Sequence, residues 1–234
     1  MAAPSLAPRR AFAGVIAVWV VAALAGIGIG VFVPADWQTE GYDQARYNNI
    51  TYPFPANRPL IPHDRNPVGS YRRDVIVPAH FSGRRMLLTI GAAGAAYYLW
   101  VNGQRIGYSE DSKLPAEFDV TPAMRPGRNV VAIELYRYAD GSYLEDQDFW
   151  RVNGIERSVT LYAAPATHLR DLDVRAGLAN DYRDGTLALT VAVGGGAAPV
   201  RVRATVLDRG RVLLTREGAP DAERNVRLDG AIPA

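Results

Sequence analysis

Tyr97-Tyr98-Leu99-Trp100-Val101-Asn102-Gly103-Gln104-Arg105-Ile106-Gly107-Tyr108 decides the fold class. An Asn-Gly pair between two such runs predicts a tight hairpin, because both central turn positions need positive φ and these two residues accept it. The same rhythm continues outward. Tyr71 to Val77, Met86 to Ile90, Asn129 to Tyr138 and Ser158 to Tyr162 read as further strands, punctuated by Gly, Pro, Asn and Asp about every ten residues. One helical turn is expected at Thr121-Pro122-Ala123-Met124, with threonine as cap and proline at the first helical position. The chain is therefore expected to be all-β.

A boundary is expected at Pro165 to Thr167, where a simpler alternation of valine, leucine and arginine begins. Leu169 to Val174, Leu187 to Val193, Val200 to Leu207 and Arg211 to Arg216 each fit a half-buried sandwich strand. Gly194-Gly195-Gly196 reads as a loop and Asp208-Arg209-Gly210 as a tight turn. About seven strands complete an immunoglobulin-like sandwich. Only four or five are legible over residues 165–234, so this domain reads as truncated.

The N-terminal end has a different character. Residues 11–33 carry no charge, with Arg9 and Arg10 before them and Asp36, Glu40 and Asp43 after. Such a run is long enough to cross a bilayer, so residues 1–33 are expected to form an apolar helix serving as signal or membrane anchor. The basic flank would keep the N-terminus cytoplasmic, and Ala23-Leu24-Ala25 offers a cleavage site. The product would then be anchored or exported, or cytoplasmic if the leader came from a rearranged reading frame. Gly26, Gly28 and Gly30 follow no strand of a βαβ unit, which removes a phosphate-loop reading.

Composition excludes several classes. The 234 residues are 48% apolar and 21% charged with a net charge of +2, an ordinary globular balance without a nucleic-acid footprint. There is no cysteine, so disulfides, thiolate catalysis and cysteine-bound zinc are absent. His63, His80 and His168 are too far apart in sequence to suggest a metal set.

Two segments place polar groups among aromatics outside the strand rhythm. In Tyr47-Asn48-Asn49-Ile50-Thr51-Tyr52-Pro53-Phe54-Pro55, prolines stiffen an extended loop. Asn49 there either supports a turn or offers a donor and an acceptor to a sugar hydroxyl. Asp140-Gly141-Ser142-Tyr143-Leu144-Glu145-Asp146-Gln147-Asp148-Phe149-Trp150-Arg151 packs three carboxylates into four positions beside two rings. These form either a solvated acidic turn partnered by Arg151 and Arg157, or oxygen ligands for a hard cation and acceptors for sugar hydroxyls. A general acid and nucleophile pair is disfavoured, since carboxylates on one turn share one environment and the chemistry needs two.

The chain resembles the N-terminal sugar-binding domain, plus part of the immunoglobulin-like domain, of the β-galactosidases of glycoside hydrolase family 2. The likeness rests on Val33-Pro34, Trp37-Gln38, Gly41-Tyr42-Asp43, Asn49-Ile50-Thr51-Tyr52-Pro53 and Asn66-Pro67-Val68-Gly69. It continues through Leu99-Trp100-Val101-Asn102-Gly103, Gly107 to Asp119, and Asp140 to Arg151 with Gly154-Ile155 and Arg157. The resemblance implies a jelly-roll sandwich at 34–164 followed by an incomplete immunoglobulin-like sandwich at 165–234. It implies hydrolysis of terminal non-reducing β-D-galactosyl residues by a barrel with two catalytic glutamates, so no catalytic residue is expected in this chain. Asn49 matches an asparagine that hydrogen-bonds the galactosyl ring. Asp148 matches an aspartate that meets the 6-hydroxyl region and helps hold sodium, whereas magnesium would bind only in the barrel. The implied partners are galactose or a β-galactoside, the catalytic barrel, other copies of the chain, and the membrane through residues 11–33. Two other roles are a membrane-tethered carbohydrate-binding module and a structural or complementing fragment.

Overall fold

Residues 17–21, 28–48, 51–145, 148–196 and 199–233 are described by the computed structural model, and their regular structure is almost entirely strand. They fall into two units, Met1–Ala163 and Ala164–Ala234. The first unit begins with β1 (Ala17–Val21), β2 (Gly28–Phe32), β3 (Ala35–Asp36), β4 (Arg46–Asn48), β5 (Val68–Val77) and β6 (Arg85–Ile90). It continues with β7 (Ala96–Val101), β8 (Gln104–Ser109), β9 (Ala116–Asp119), β10 (Gly127–Tyr136), β11 (Phe149–Arg151), β12 (Gly154–Ile155) and β13 (Val159–Ala164).

One sheet has the order β2-β1-β5-β10-β7-β8 and a second has the order β13-β6-β9. Alternation packs them into a sandwich. Val131, Ile133 and Leu135 of β10 point inward with Tyr97, Leu99 and Val101 of β7, and meet Met86, Leu88 and Ile90 of β6 in one core. The intervening Val130, Ala132, Glu134 and Tyr136 lie on the other face of β10 and stay partly exposed. The hairpin between β7 and β8 turns at Asn102 and Gly103, with φ of 51° and 83°. Gly69 is needed for packing: a Cβ there would lie 2.3 Å from the ring of buried Trp37.

The core also contains a polar knot. Asn129 is fully buried. Its carbonyl accepts from Asn102 Nδ2 at 2.7 Å and Arg125 N at 2.9 Å, and its amide donates to the Arg125 and Gly127 carbonyls at 2.7 and 2.9 Å. Asn102 in turn accepts from Val130 N at 2.9 Å. The hairpin asparagine therefore also ties its turn to β10. The turn after β9 is present as expected, with Ala123 and Met124 N–H both on the Val120 carbonyl. Its threonine hydroxyl, however, accepts from Met86 N at 2.9 Å in β6.

The helix expected over residues 11–33 is not what the described part of that stretch forms. Ala17–Val21 and Gly28–Phe32 are antiparallel strands, and β1 pairs with β5 at Trp19↔Arg72 and Val20↔Tyr71. Short apolar runs rich in valine and glycine suit a strand as well as a helix, and the edge of β5 supplies backbone partners. Among the described residues no helix is long and apolar enough to cross a membrane.

The second unit contains β14 (His168–Ala179), β15 (Asp184–Gly194), β16 (Val202–Asp208), β17 (Arg211–Gly218) and β18 (Asn225–Ile232). The orders are β14-β15-β18 and β16-β17. Leu189, Val191, Val193, Val226 and Leu228 form its core with Val200, Val202 and Ala204 against them. The turn between β16 and β17 has positive φ at Arg209 and Gly210, 47° and 85°.

Candidate functional site

The two polar-aromatic segments meet in a short antiparallel ribbon. Strand β4 pairs with β11 in the register Asn48↔Phe149, Tyr47↔Trp150 and Arg46↔Arg151. Because side chains alternate, Tyr47 and Trp150 share one face, with ring centroids 5.7 Å apart. Both rings are half exposed, 50% and 58%. The Tyr47 hydroxyl donates to the carboxylate of Asp148, an exposed residue. That bond holds the phenol above its ordinary pKa, since the carboxylate stabilises the protonated form. Asn49 lies outside the described residues, as do Ile50, Asp146 and Gln147. The described residue before Asn49, Asn48, pairs with the residue after Asp148.

The opposite face of β11 is anchored from within. Arg137, absent from the sequence-based candidates, has a side chain only 3% exposed and is ion-paired with Asp43. It also donates to the carbonyls of Gln44 at 2.9 Å and Arg151 at 2.8 Å, tying the lead-in to β4 onto β11. Asn153 follows the same plan. Its amide donates to the carbonyls of Tyr136 and Arg137 at 3.1 and 3.0 Å, and its backbone N–H donates to Gln38 at 3.0 Å. Gly94 lets that side chain approach, because a Cβ there would lie 2.6 Å from the amide carbon. Phe149 lies under Arg151, whose Cζ is 4.9 Å from the ring centroid, and Lys113 Nζ is 5.6 Å from that centroid. Burial lowers the Arg151 pKa. These groups line a cavity of about 520 Å³ together with Glu145.

The acidic run is not one cluster. Glu145 is bound by Ser112, whose N–H and hydroxyl donate at 3.0 and 2.5 Å. Asp148 stands on the ribbon with Tyr47. Asp140 instead joins Glu110, which accepts from Gly141 N at 3.0 Å and the Tyr108 hydroxyl at 2.9 Å. In that pair burial and Asp140 raise the Glu110 pKa, while the hydrogen bond with Glu110 lowers that of Asp140. Divergent carboxyl pKa values are a mark of glycosidase pairs, but a retaining pair stands about 5 Å apart with the sugar between. Gly141 N–H donates to both carboxylates, at 3.0 Å to Glu110 and 3.2 Å to Asp140, and these contacts make the pair a clasp for the Asp140–Tyr143 turn.

That turn seats the proline-rich loop. Phe54, Tyr138 and Tyr143 form a small core with Tyr52 and Ile61. Tyr143 hydroxyl donates to the Leu60 carbonyl at 2.8 Å and accepts from Asn57 N at 3.0 Å, and Tyr52 hydroxyl donates to the Tyr143 carbonyl at 3.1 Å. No group of three or more His, Asp or Glu side chains suited to a metal occurs among the described residues.

Comparison with known proteins gives a consistent picture. The family described as glycosyl hydrolases family 2, sugar binding domain, matches residues 4–165. A β-galactosidase of Priestia megaterium is 43% identical over 164 residues, covering 68% of this chain and 16% of that protein. One from Yersinia pestis is 46% identical over 162 residues, covering 69% and 15%. The chain thus spans about one sixth of the length of these curated relatives. Among solved structures, a β-glucuronidase of Bifidobacterium dentium complexed with coumarin-3-O-glucuronide superposes with a TM-score of 0.70. Its identity is 21%, over 92% of this chain and 40% of that chain. A β-glycosidase from Bacteroides vulgatus gives a TM-score of 0.65 at 20% identity, covering 88% and 25%. At such identities the structural likeness is one of fold.

Proposed function

This chain belongs to the sugar binding domain family of the family 2 glycosyl hydrolases, and from that premise we propose that it is the sugar-contacting N-terminal part of a β-galactosidase. The reaction is hydrolysis of terminal non-reducing β-D-galactosyl residues, carried by catalytic glutamates of a barrel outside residues 1–234. The chain itself contributes substrate contacts.

One observation carries this reading. The β4–β11 ribbon presents the Asp148 carboxylate, fixed by Tyr47, beside the exposed ring of Trp150. A carboxylate accepts from sugar hydroxyls and an aromatic ring covers the apolar C–H face of a pyranose, so the two together suit a hexose. Asp148 takes the 6-hydroxyl region of the galactosyl group and Asn49 bonds its ring hydroxyls. Asp148 also suits one coordination position of sodium, because a carboxylate oxygen is the donor a hard cation takes. The other sodium ligands come from the sugar, water or the barrel. Arg137 acts indirectly, keeping β11 against the Asp43–Gln44 segment.

The test is a chimera in which this chain replaces the N-terminal domain of the Priestia megaterium β-galactosidase. Asp148→Ala and Asn49→Ala are each expected to lower kcat/KM for a chromogenic β-galactoside by about 10- to 100-fold, the loss of a charged or well-aligned hydrogen bond. Unchanged kcat/KM in both variants would refute the assignment. The unfused chain is expected to show no hydrolysis. The exposed ring pair also favours a carbohydrate-binding module working without a barrel. Galactose binding by the unfused chain, lost in Trp150→Ala, would support that reading.

A further inference from the structure

The outer face of the six-stranded sheet carries a groove that the galactosyl contacts do not use. Cross-strand register sets Arg72 of β5, Ala132 of β10, Trp100 of β7 and Arg105 of β8 in one row. Side chains in a row stand side by side about 5 Å apart, so a methyl between an indole and a guanidinium leaves a dip. That dip is a cavity of about 450 Å³ with Val130 and Ala132 along its floor, Trp100 on one wall, Arg72 on the other, and Arg125 at its end. Trp100 is braced by Tyr98, with centroids 5.8 Å apart, and Arg105 lies over Tyr98 at 5.1 Å, outside the hollow.

The charges on this face do not cancel at the groove. Asp74 is paired with Arg128 at 2.7 Å, and Glu134 accepts from the Tyr136 hydroxyl at 2.8 Å. Among the described contacts the Arg72 guanidinium makes no hydrogen bond or ion pair; its charge reaches Asp74 only through space. The Arg125 side chain has one bond, to the Arg128 carbonyl at 3.4 Å. Two guanidinium groups thus line a hollow together with an indole, two aliphatic side chains and the Asn102–Gly103 turn, whose asparagine amide is already held by Ala123 and Asn129.

We propose that this groove binds a carboxylate-bearing pyranose, a uronic acid residue. A guanidinium fork matches a carboxylate in geometry and charge, so Arg72 and Arg125 take the acid group. The indole of Trp100 covers the C–H face of the ring, and the Ala132 methyl leaves the depth for it to enter. A neutral pyranose keeps the stacking and loses the charged bonds. A simple carboxylate keeps the charge and loses the stacking.

The full chain, titrated with galacturonate, galactose and acetate while the Trp100 indole and Arg72 Nε–H resonances are followed, tests the proposal. Galacturonate is expected to move both signals and saturate in the millimolar range, at least tenfold tighter than galactose read at Trp100. Acetate should leave the indole in place. Ala132→Leu, which fills the floor from an outward-facing position, is expected to abolish the galacturonate response without shifting the thermal midpoint. Arg72→Gln should bring galacturonate down to the galactose level. Equal affinity for the acid and neutral sugars, an acetate response matching that of galacturonate, or wild-type binding by Ala132→Leu would each overturn the proposal. If Ala132→Leu fails to fold, the Arg72→Gln result decides: an unchanged preference for the acid sugar overturns it.

Discussion

Strands β10 and β14 alternate apolar residues in the same way, yet one lies in a core and the other lies open. In β10, Val131, Ile133 and Leu135 are buried, Leu135 completely. In β14, Leu172 and Val174 pair with Val191 and Leu189 of β15 and so share the face that carries the second unit's core. Both nevertheless remain 55% exposed, and Leu169 and Leu178 are more open still. The difference is the layer opposite. The β6 residues Met86, Leu88 and Ile90 pack against β10 and β7, whereas Val202 and Ala204 of β16 pack against the β15 and β18 core residues. Alternation chooses a face, but only a facing layer removes it from water.

The largest expected effect comes from the covered strand. Leu135→Ala should lower the unfolding free energy by about 3–4 kcal/mol in urea melts, because a fully enclosed site keeps the cavity it gains. Asn129→Ala should cost about 2–3 kcal/mol by the same measurement, since it strands the Arg125 N–H and carbonyl and removes one of the partners of the Asn102 amide. The comparison is sharpest at Leu172→Ala, the leucine truncation on the open strand, which should stay within about 0.5 kcal/mol. A loss there approaching that at Leu135 would show that β14 is covered in solution and would break the contrast.

The smallest effect is a pH dependence at the sandwich edge. Burial alone would raise the Asp119 pKa, but hydrogen bonds from Thr121 and Arg85 outweigh it and hold the carboxyl below its usual value. A lowered folded-state pKa stabilises the fold above the unfolded value and is lost as pH falls through the folded one. Asp119→Asn is therefore expected to flatten the acid side of the stability profile below about pH 4 and leave its slope at neutral pH unchanged, as read by thermal melts across pH. An acid limb identical to wild type would remove Asp119 from that account.

Much of this architecture was legible in the residues. The Asn102–Gly103 hairpin, the strands around it and the strands from Leu169 to Arg216 stand where the alternation put them. Strand β18 and the short β3, β4, β9, β11 and β12 were missed. Local pattern also misled at the described residues 17–21 and 28–32, where hydropathy alone cannot separate a spanning helix from paired strands, one of which meets the distant β5. In the candidate site, Asp148 stood out as part of a dense acidic run. That Glu145, Asp140 and Asp148 each serve a different partner was hidden, because Ser112, Glu110 and Tyr47 lie 30 to 101 residues away. Arg137 gave no signal, since its role depends on Asp43, 94 residues earlier.

By itself the sequence settled the all-β class, the principal turns and the family resemblance, because positive φ, two-residue periodicity and contiguous motifs are properties of neighbouring residues. Only the tertiary structure decided that residues 17–21 and 28–32 pair as strands, that an aspartate and a tryptophan share one ribbon face, and that Ala132 opens a groove between an indole and an arginine. Those facts depend on which distant strands become neighbours and in what register, and a single residue of slip would turn each side chain to the opposite face.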